Sequence, residues 1–158
     1  MKLLVLSDSH GHIGRMQLAV EQVMPDAVAH LGDHIGDTRK LSEKYPDIAF
    51  YMVKGNCDLD AIGEKELFYT LEGFKVFMAH GHTYKVKNGL TAFAHRALEL
   101  NADIALFGHT HIAMARHAHG IWFMNPGQME RNDTIRASYG IVMLDGGNIS
   151  IELKELES

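Results

Sequence analysis

The chain has 158 residues, of which 46% are hydrophobic and 22% are charged, and this balance fits a single domain, residues 1–158, with a full hydrophobic core. The net charge of −5 argues against an extensive nucleic-acid surface, which is normally basic. No apolar stretch reaches the ~20 residues that span a bilayer, and the single cysteine, Cys57, excludes an internal disulfide and a multi-thiolate metal site, so we expect a cytoplasmic protein without membrane association.

The first half of the chain alternates between strand and helix patterns. The run KLLVLSD (2–8) is continuously aliphatic, which is typical of a strand covered on both faces. A helix is predicted over 13–24, because apolar residues recur there at helical spacing and Pro25 stops the pattern. DAVAHLGD (26–33) is a second apolar run, so these elements predict a βαβ unit with parallel strands.

The remaining elements continue this pattern and then become antiparallel. We predict a short helix over 38–45, a strand over 48–56, an amphipathic helix over 91–101 and a strand over 103–111. Three hairpins are predicted, at 67–80 with a turn at Glu72–Gly73, at 114–125 with a turn at Gly120, and at 139–156 with a turn at Gly146–Gly147. The pattern indicates an α/β domain with an antiparallel C-terminal section.

Polar side chains follow five of the predicted strands at the point where each strand ends. They are Asp8, His10, Asp33, Asn56, His80, His109 and His111. Because ligands bind beyond the carboxyl ends of the strands in open α/β sheets, we expect these side chains to meet at one rim. Gly32, Gly55 and Gly108 each directly precede one of them, where the backbone must turn sharply or approach closely.

These seven donors are oxygen or imidazole groups, a set that suits Mn²⁺, Fe²⁺, Zn²⁺, Ni²⁺ or Co²⁺ rather than calcium or an iron–sulfur cluster. Seven ligands exceed the need of one tetrahedral ion. They suit two ions that share a bridging carboxylate, the arrangement that clamps the attacking and leaving oxygens in a displacement at phosphorus. We therefore expect two divalent metal ions per chain, with Mn²⁺ as the first choice.

Five motifs occur in a fixed order along the chain. They are DSHG (8–11), GDHIGD (32–37), GNCD (55–58), HGH (80–82) and GHTH (108–111). Together they resemble the calcineurin-like metallophosphoesterases, and the short chain and the GNCD spelling resemble the compact bacterial and archaeal phosphodiesterases of that superfamily. The resemblance runs from Met1 to about Leu153. It implies an α/β fold, a four-layer sandwich of two mixed β-sheets flanked by helices.

The resemblance also implies a ligand set and a reaction. One ion would be held by Asp8, His10, Asp33 and His111, and the second by Asp33, Asn56, His80 and His109, so that Asp33 is the bridge. The implied reaction is the hydrolysis of small phosphodiesters by in-line attack of a metal-bridging hydroxide. Asp33 and Asn56 would thereby serve catalysis. His82, the second histidine of HGH, is expected near the second ion and the phosphate.

Two positions depart from the family pattern. Cys57 stands where the family usually has a histidine that helps to neutralise or protonate the leaving group. A thiol with an ordinary pKa of ~8.5 cannot replace an imidazolium, so we expect weak catalysis on esters with poor leaving groups. In NPGQ (125–128), Gln128 replaces the usual serine, and we expect little effect on the chemistry.

Other interpretations remain beside the leading one. A non-catalytic scaffold is the main alternative, since the retromer subunit of the same fold works as a protein-interaction surface. Its ligand positions are partly substituted, whereas every position here keeps a competent donor. HGH at 10–12 also opens amidohydrolase barrels, but that fold needs ~250 residues. Cyclic nucleotides, nucleotide ends and other small diesters all remain open as substrates, and by analogy we expect a homo-oligomer, a dimer or tetramer.

Three further polar residues allow structural explanations. His30 lies inside a predicted strand and is interpreted as a hydrogen-bonded core histidine. Asp37 is interpreted as a helix N-cap rather than a ligand. Asp58 either orients a neighbouring group or caps a turn.

Overall fold

The structure, a computed structural model, describes residues 1–157, which form ten strands and three α-helices. The strands are β1 (Lys2–Leu6), β2 (Ala27–His30), β3 (Ala49–Met52), β4 (Glu66–Leu71), β5 (Phe74–Ala79), β6 (Ile104–Leu106), β7 (Met114–Ala118), β8 (Ile121–Asn125), β9 (Ser138–Asp145) and β10 (Asn148–Glu155). The helices are α1 (Ile13–Val23), α2 (Ile35–Lys44) and α3 (Thr91–Glu99). Two short 3₁₀ helices, His82–Tyr84 and Val86–Asn88, were not predicted.

The strands form two mixed sheets of five strands each. Sheet I has the order β10-β9-β1-β2-β3, and sheet II has the order β4-β5-β6-β8-β7. In sheet I, β1, β2 and β3 are parallel, as the βαβ pattern predicted, and β9 pairs antiparallel with β1. In sheet II, β5, β6 and β8 are parallel while β4 and β7 are antiparallel edge strands. The two mixed sheets with flanking helices confirm the predicted fold class.

Three hydrophobic clusters hold the layers together. Leu3 and Val5 of β1 face sheet II, while Leu4 and Leu6 face the side covered by α1 and α2. Phe93 of α3 packs on the outer face of sheet II. Each fully buried leucine of β1 contributes roughly 1.5–3 kcal/mol to folding, and burial on both faces explains why this strand is continuously aliphatic.

All three predicted hairpins are present, with their turns at the predicted positions. The turn residues Glu72 and Gly73 have φ values of 51° and 83°, and Gly146 and Gly147 have values of 54° and 84°. Positive φ at both central residues is typical of the type I′ turn, whose twist matches that of the flanking strands. The glycines therefore give these hairpins their register.

Helix α2 begins three residues earlier than predicted, at Ile35 rather than at residue 38. The cause is Asp58, whose Oδ1 accepts hydrogen bonds from the backbone N–H groups of His34 at 2.9 Å and Ile35 at 3.0 Å. A carboxylate that satisfies the free N–H groups stabilises the start of a helix. Asp58 thus caps this helix from outside it, a role that differs from both alternatives that the sequence left open.

The interpretation of Asp37 as an N-cap was wrong. Asp37 lies within the first turn of α2, where it is 7% exposed, and its Oδ2 accepts hydrogen bonds from the Ser9 hydroxyl and the Gly11 N–H, both at 2.8 Å. Its side chain therefore points toward the loop after β1 and not toward its own helix start.

Among residues 1–157, no helix is long and apolar enough to cross a bilayer. The single domain over residues 1–158 stays a prediction, and its last residue, Ser158, lies outside the described residues.

Candidate metal centre

Asp8 lies at the centre of a group of histidine rings. It is fully buried just after β1, and its Oδ1 atom is 3.1 Å from Nε2 of both His80 and His111. Its Oδ2 atom accepts hydrogen bonds from the Ser7 hydroxyl at 2.5 Å and from the His109 backbone N–H at 3.2 Å. The residues after β1, β5 and β6 thus converge on one carboxylate, so the predicted rim lies between the two sheets.

Asp33 follows β2 and faces the same group. Its Oδ2 atom lies 3.6 Å from His80 Nε2 and 3.9 Å from His10 Nε2. Its Oδ1 atom accepts a hydrogen bond from the Cys57 N–H at 2.9 Å. One carboxylate between rings from opposite sides of the rim has the position that a bridging ligand needs.

Asp8, His10, Asp33 and His111 offer four ligand atoms that all lie within 4.8 Å of one another. Within residues 1–157, the buried Nε2 atom of His10 has no hydrogen-bond partner. A buried polar atom without a partner is costly, and a cation among two carboxylates and two imidazoles would satisfy it. The donor set therefore fits a borderline divalent metal ion.

A second group of histidines adjoins the first. The Nδ1 atoms of His80 and His82 are 3.1 Å apart, so one ring donates a hydrogen bond to the other. The His109 ring centroid lies 5.0 Å from that of His80 and 6.1 Å from that of His82. Three imidazoles therefore share one side of the rim.

Three glycines allow the loops to approach this closely. A Cβ atom on Gly108 would lie 2.9 Å from Asp8 Oδ2, and one on Gly55 would overlap the carboxylate of Asp33. Gly32 has a φ of 106°, and a Cβ there would lie 2.7 Å from the Gly55 nitrogen. The sequence predicted a sharp turn or a close approach at these three positions, and the structure shows close approach at each.

The loops at the rim have an unusual backbone conformation. Six non-glycine residues have positive φ: Asp8 (53°), His10 (44°), Asp33 (60°), His34 (67°), His109 (68°) and His111 (62°). Left-handed backbone is uncommon outside glycine, and aspartate and histidine are among the residues that tolerate it best. Five of these six residues are predicted metal ligands.

The charges of the site favour a cation. Burial alone would raise the pKa of Asp8, but hydrogen bonds from His111, His80 and Ser7 outweigh it and hold the pKa well below its ordinary value. The hydrogen bond to Asp8 raises the pKa of His111. Burial lowers the pKa of His109 to about 4, so this ring is neutral near pH 7 with a lone pair free for a metal.

Residues 1–147 match the model of the calcineurin-like phosphoesterase superfamily domain. The chain belongs to this superfamily. It is 35% identical over 147 residues to the probable metallophosphoesterase YsnB of Bacillus subtilis, an alignment that covers 92% of this chain and 85% of YsnB. It is 28% identical over 177 aligned positions to the phosphodiesterase YfcE of Escherichia coli K12, with 96% and 91% of the two chains covered.

Solved structures agree with this assignment. A predicted phosphoesterase from Streptococcus pneumoniae superposes with a TM-score of 0.81 at 28% identity, over 98% of this chain and 88% of that one. Vps29 of Entamoeba histolytica complexed with Zn²⁺ superposes with a TM-score of 0.73 at 19% identity, over 99% and 100% of the chains. The second likeness concerns the fold alone.

The structure brings six of the seven residues predicted as superfamily metal ligands together around Asp8 and Asp33. The seventh, Asn56, is exposed, and its amide nitrogen lies 3.7 Å from the Cys57 sulfur. Its side chain thus rests beside the rim. The ligand role of all seven residues stays a prediction.

Sequence reasoning missed Asn125. This fully buried side chain donates hydrogen bonds from Nδ2 to the Gly108 carbonyl and the Thr110 hydroxyl, both at 2.9 Å, and its Oδ1 accepts one from the Gly127 N–H. It therefore fixes the loop between His109 and His111. Asn125 is the first residue of the NPGQ motif, but the departure from the family pattern drew attention only to its last residue, Gln128.

Proposed function

We propose that this protein hydrolyses small phosphodiesters with the help of two divalent metal ions, of which Mn²⁺ is the first choice. The observation that carries the proposal is the cluster of Asp8, His10, Asp33 and His111, with the unpaired, buried ring nitrogen of His10. The phosphodiesterase YfcE, a full-length relative, supports the choice of diesters. We also propose a cytoplasmic location, on the grounds of composition.

The chain offers ligands for both ions. Asp8, His10, Asp33 and His111 would hold one, and Asp33, Asn56, His80 and His109 the other, with Asn56 turning inward from its exposed position. When bound, such ions acidify water and neutralise phosphoryl oxygens. Asp33 belongs to both sets and would therefore fix the positions of the two ions relative to each other.

The remaining groups at the rim would act on the phosphate directly. His82 hydrogen-bonds to His80 through Nδ1, and burial lowers its pKa, so the ring is neutral near pH 7. When His80 Nδ1 carries the shared proton, the single N–H of His82 is on Nε2 and would donate to a phosphoryl oxygen. His34 is exposed and its ring centroid lies 4.8 Å from that of His10. These two rings would bind and orient a diester between them.

The test is hydrolysis of a chromogenic phosphodiester, with the matching monoester in parallel, by chelator-stripped protein before and after Mn²⁺ is added. We expect Mn²⁺ to restore diester hydrolysis in the parent protein. Asp33→Asn should lower the rate by more than about 100-fold, because it weakens the bridging ligand. Asp47→Asn removes an equal charge from an exposed surface position and should leave the rate unchanged.

A non-catalytic scaffold is the second candidate, favoured by the full-length likeness of the fold to Vps29. That likeness is to a zinc complex, so metal binding alone does not separate the two functions. Hydrolysis does. A folded, metal-loaded parent that hydrolyses neither ester with any divalent ion would refute the enzymatic proposal and support the scaffold.

A further inference from the structure

Three buried polar side chains that the proposed function does not use form a continuous hydrogen-bonded chain behind the metal ligands. Ser9 and His30 are fully buried, and Asp37 is 7% exposed. They come from three different elements, the loop after β1, the end of β2 and the first turn of α2. We call these residues the Ser9–His30–Asp37 chain.

The hydrogen bonds of the chain have a defined direction. The Gly32 N–H, which can only donate, lies 3.3 Å from His30 Nδ1, so that nitrogen accepts and the ring proton is on Nε2. His30 Nε2 then donates to the Ser9 hydroxyl at 3.0 Å. The single proton of Ser9 goes to Asp37 Oδ2 at 2.8 Å, rather than to the Asp33 carbonyl at 3.4 Å.

The chain is connected to the backbone beside three predicted ligands. Ser9 lies between Asp8 and His10, which both have positive φ. Asp37 Oδ2 also accepts the Gly11 N–H at 2.8 Å, so it holds the residues on both sides of His10. On the other loop, His30 accepts the N–H of Gly32, the residue directly before Asp33.

We propose that Ser9, His30 and Asp37 are positioning residues that set the spacing of Asp8, His10 and Asp33 and thereby the metal affinity of the site. The inference rests on the metal site of the proposed function. The hydrogen bonds of Ser9, His30 and Asp37 couple the loop after β1 to the loop after β2 and to α2. Along the polypeptide, these segments are connected only through the strands and the helix between them. Partners behind metal ligands commonly affect affinity by 10–100-fold.

An ordinary structural role makes a different prediction. If the chain only stabilised the fold, its loss would lower the melting temperature of the metal-free protein and leave the metal dissociation constant unchanged in the folded state. A positioning role requires that a variant binds metal more weakly at temperatures at which it is fully folded. In such a variant the metal must order the ligands itself, and the free energy of ordering them reduces the binding free energy.

The test compares two substitutions of buried hydroxyls. Ser9→Ala breaks the chain at its centre. Thr38→Val removes a neighbouring hydroxyl that is fully buried and has no hydrogen-bond partner among the described residues, so it is the matched control. Free Mn²⁺ is measured by electron paramagnetic resonance during titration of the stripped proteins. We expect Ser9→Ala to weaken binding about 10–100-fold and Thr38→Val to change it less than about 2-fold.

A second pair of variants covers the case in which Ser9→Ala does not fold. His30→Gln keeps an N–H donor for Ser9, whereas His30→Leu removes it, so only the leucine variant should bind Mn²⁺ more weakly. Where Ser9→Ala does fold, the double variant Ser9→Ala/Asp37→Asn should lose little more affinity than either single variant, since both break the same chain.

The outcomes separate this inference from the proposed function. If the parent binds Mn²⁺ and the folded Ser9 or His30 variants bind it equally well, the positioning role is wrong and the proposed function is untouched. If the folded parent binds no divalent metal, both are wrong.

Discussion

Cys57 contacts the predicted bridging carboxylate through its backbone and leaves its thiol exposed. Partial burial raises the pKa of this thiol, and the negative charge of Asp33 raises it further. The thiol is therefore neutral near pH 7. It cannot supply the positive charge that the usual histidine of this motif offers to a leaving group.

Replacing Cys57 by histidine should improve the hydrolysis of diesters with poor leaving groups. The added imidazole can donate a proton or a hydrogen bond to the leaving oxygen. General acid catalysis of this kind accelerates a reaction by about 10²–10⁴-fold in favourable geometry. The measurement is kcat for an alkyl and a nitrophenyl diester, with Cys57→Ser as the control. An equal rate for parent and Cys57→His on the alkyl diester, in folded and metal-loaded protein, would contradict the prediction.

His30 should make the metal-free protein less stable in mild acid. Burial lowers its pKa from 6.5 to about 4, so between these values the unfolded chain binds a proton that the folded protein does not. The free energy of unfolding therefore decreases as pH falls through this window, by about 1.4 kcal/mol per pH unit. Above pH 6.5 the contribution is constant.

Urea denaturation of the metal-free protein between pH 4 and pH 7 tests this effect. The parent should lose stability more steeply than His30→Gln, which cannot take up the proton. Because carboxylates and the other histidines titrate in both proteins, only the difference in slope reports on His30. Parallel slopes would show that His30 titrates normally in the folded state.

The loop after β6 depends on the absence of a side chain at Gly108 and on the buried amide of Asn125. At Gly108 an added Cβ would lie 2.9 Å from Asp8 Oδ2, and Asn125 donates hydrogen bonds to the Gly108 carbonyl and the Thr110 hydroxyl. The two histidines of GHTH are thus fixed from both sides. Their place in the site depends on β8, which is remote from them in sequence.

Gly108→Ala should impair metal binding without unfolding the protein. The added methyl group would overlap the Ser7 hydroxyl and crowd Asp8 Oδ2, and would push the loop away from the rim. We expect an Mn²⁺ affinity at least about 10-fold weaker, measured by calorimetry, since ligand spacing is disturbed. Gly14→Ala, at a position without positive φ where an added Cβ meets no neighbouring atom, is the control for a general glycine effect. Unchanged affinity for Gly108→Ala would show that the loop adapts freely.

The sequence predicted the starts of α1 and α3 at residues 13 and 91, but it placed the start of α2 three residues too late. Asp8, Asp33 and His80 lie within two residues of the end of an apolar run, so their place at a rim could be inferred from local pattern. The start of α2 could not, because its N–H groups are satisfied by Asp58, which lies 24 residues after His34. Asp37 was misinterpreted for the same reason, since its partners lie in the loop after β1.

For the molecule as a whole, the hydropathy pattern did not indicate which strands belong to which sheet. Central strands of sheet I and sheet II are both apolar runs that end in a polar residue, and nothing local tells which strands share a sheet. The two-sheet architecture came from the order of the five motifs. Pattern alone predicted the hairpins and the parallel pairing of β1, β2 and β3, which neighbouring segments settle. It did not predict the parallel pairs of sheet II, β5–β6 and β6–β8.

We expect the protein to form a homodimer through the edge strand β4. Phe68 and Tyr69 of this strand are 42% and 45% exposed, and the Tyr69 ring lies 5.2 Å from that of Tyr51 on β3. An exposed apolar edge is a surface for strand pairing between copies. Light scattering should give twice the chain mass of 17.6 kDa, and Phe68→Lys should give one chain mass. A monomeric parent would contradict this expectation.

The left-handed backbone of the loops that carry the predicted ligands has a cost that metal binding would offset. Each such residue other than glycine costs roughly 1–2 kcal/mol, and five predicted ligands share the conformation. A descendant released from metal binding would gain stability by accepting glycine or asparagine at these positions. If random variants were selected for thermal stability alone, substitutions should therefore accumulate first at the predicted metal ligands, and the sheets should stay intact.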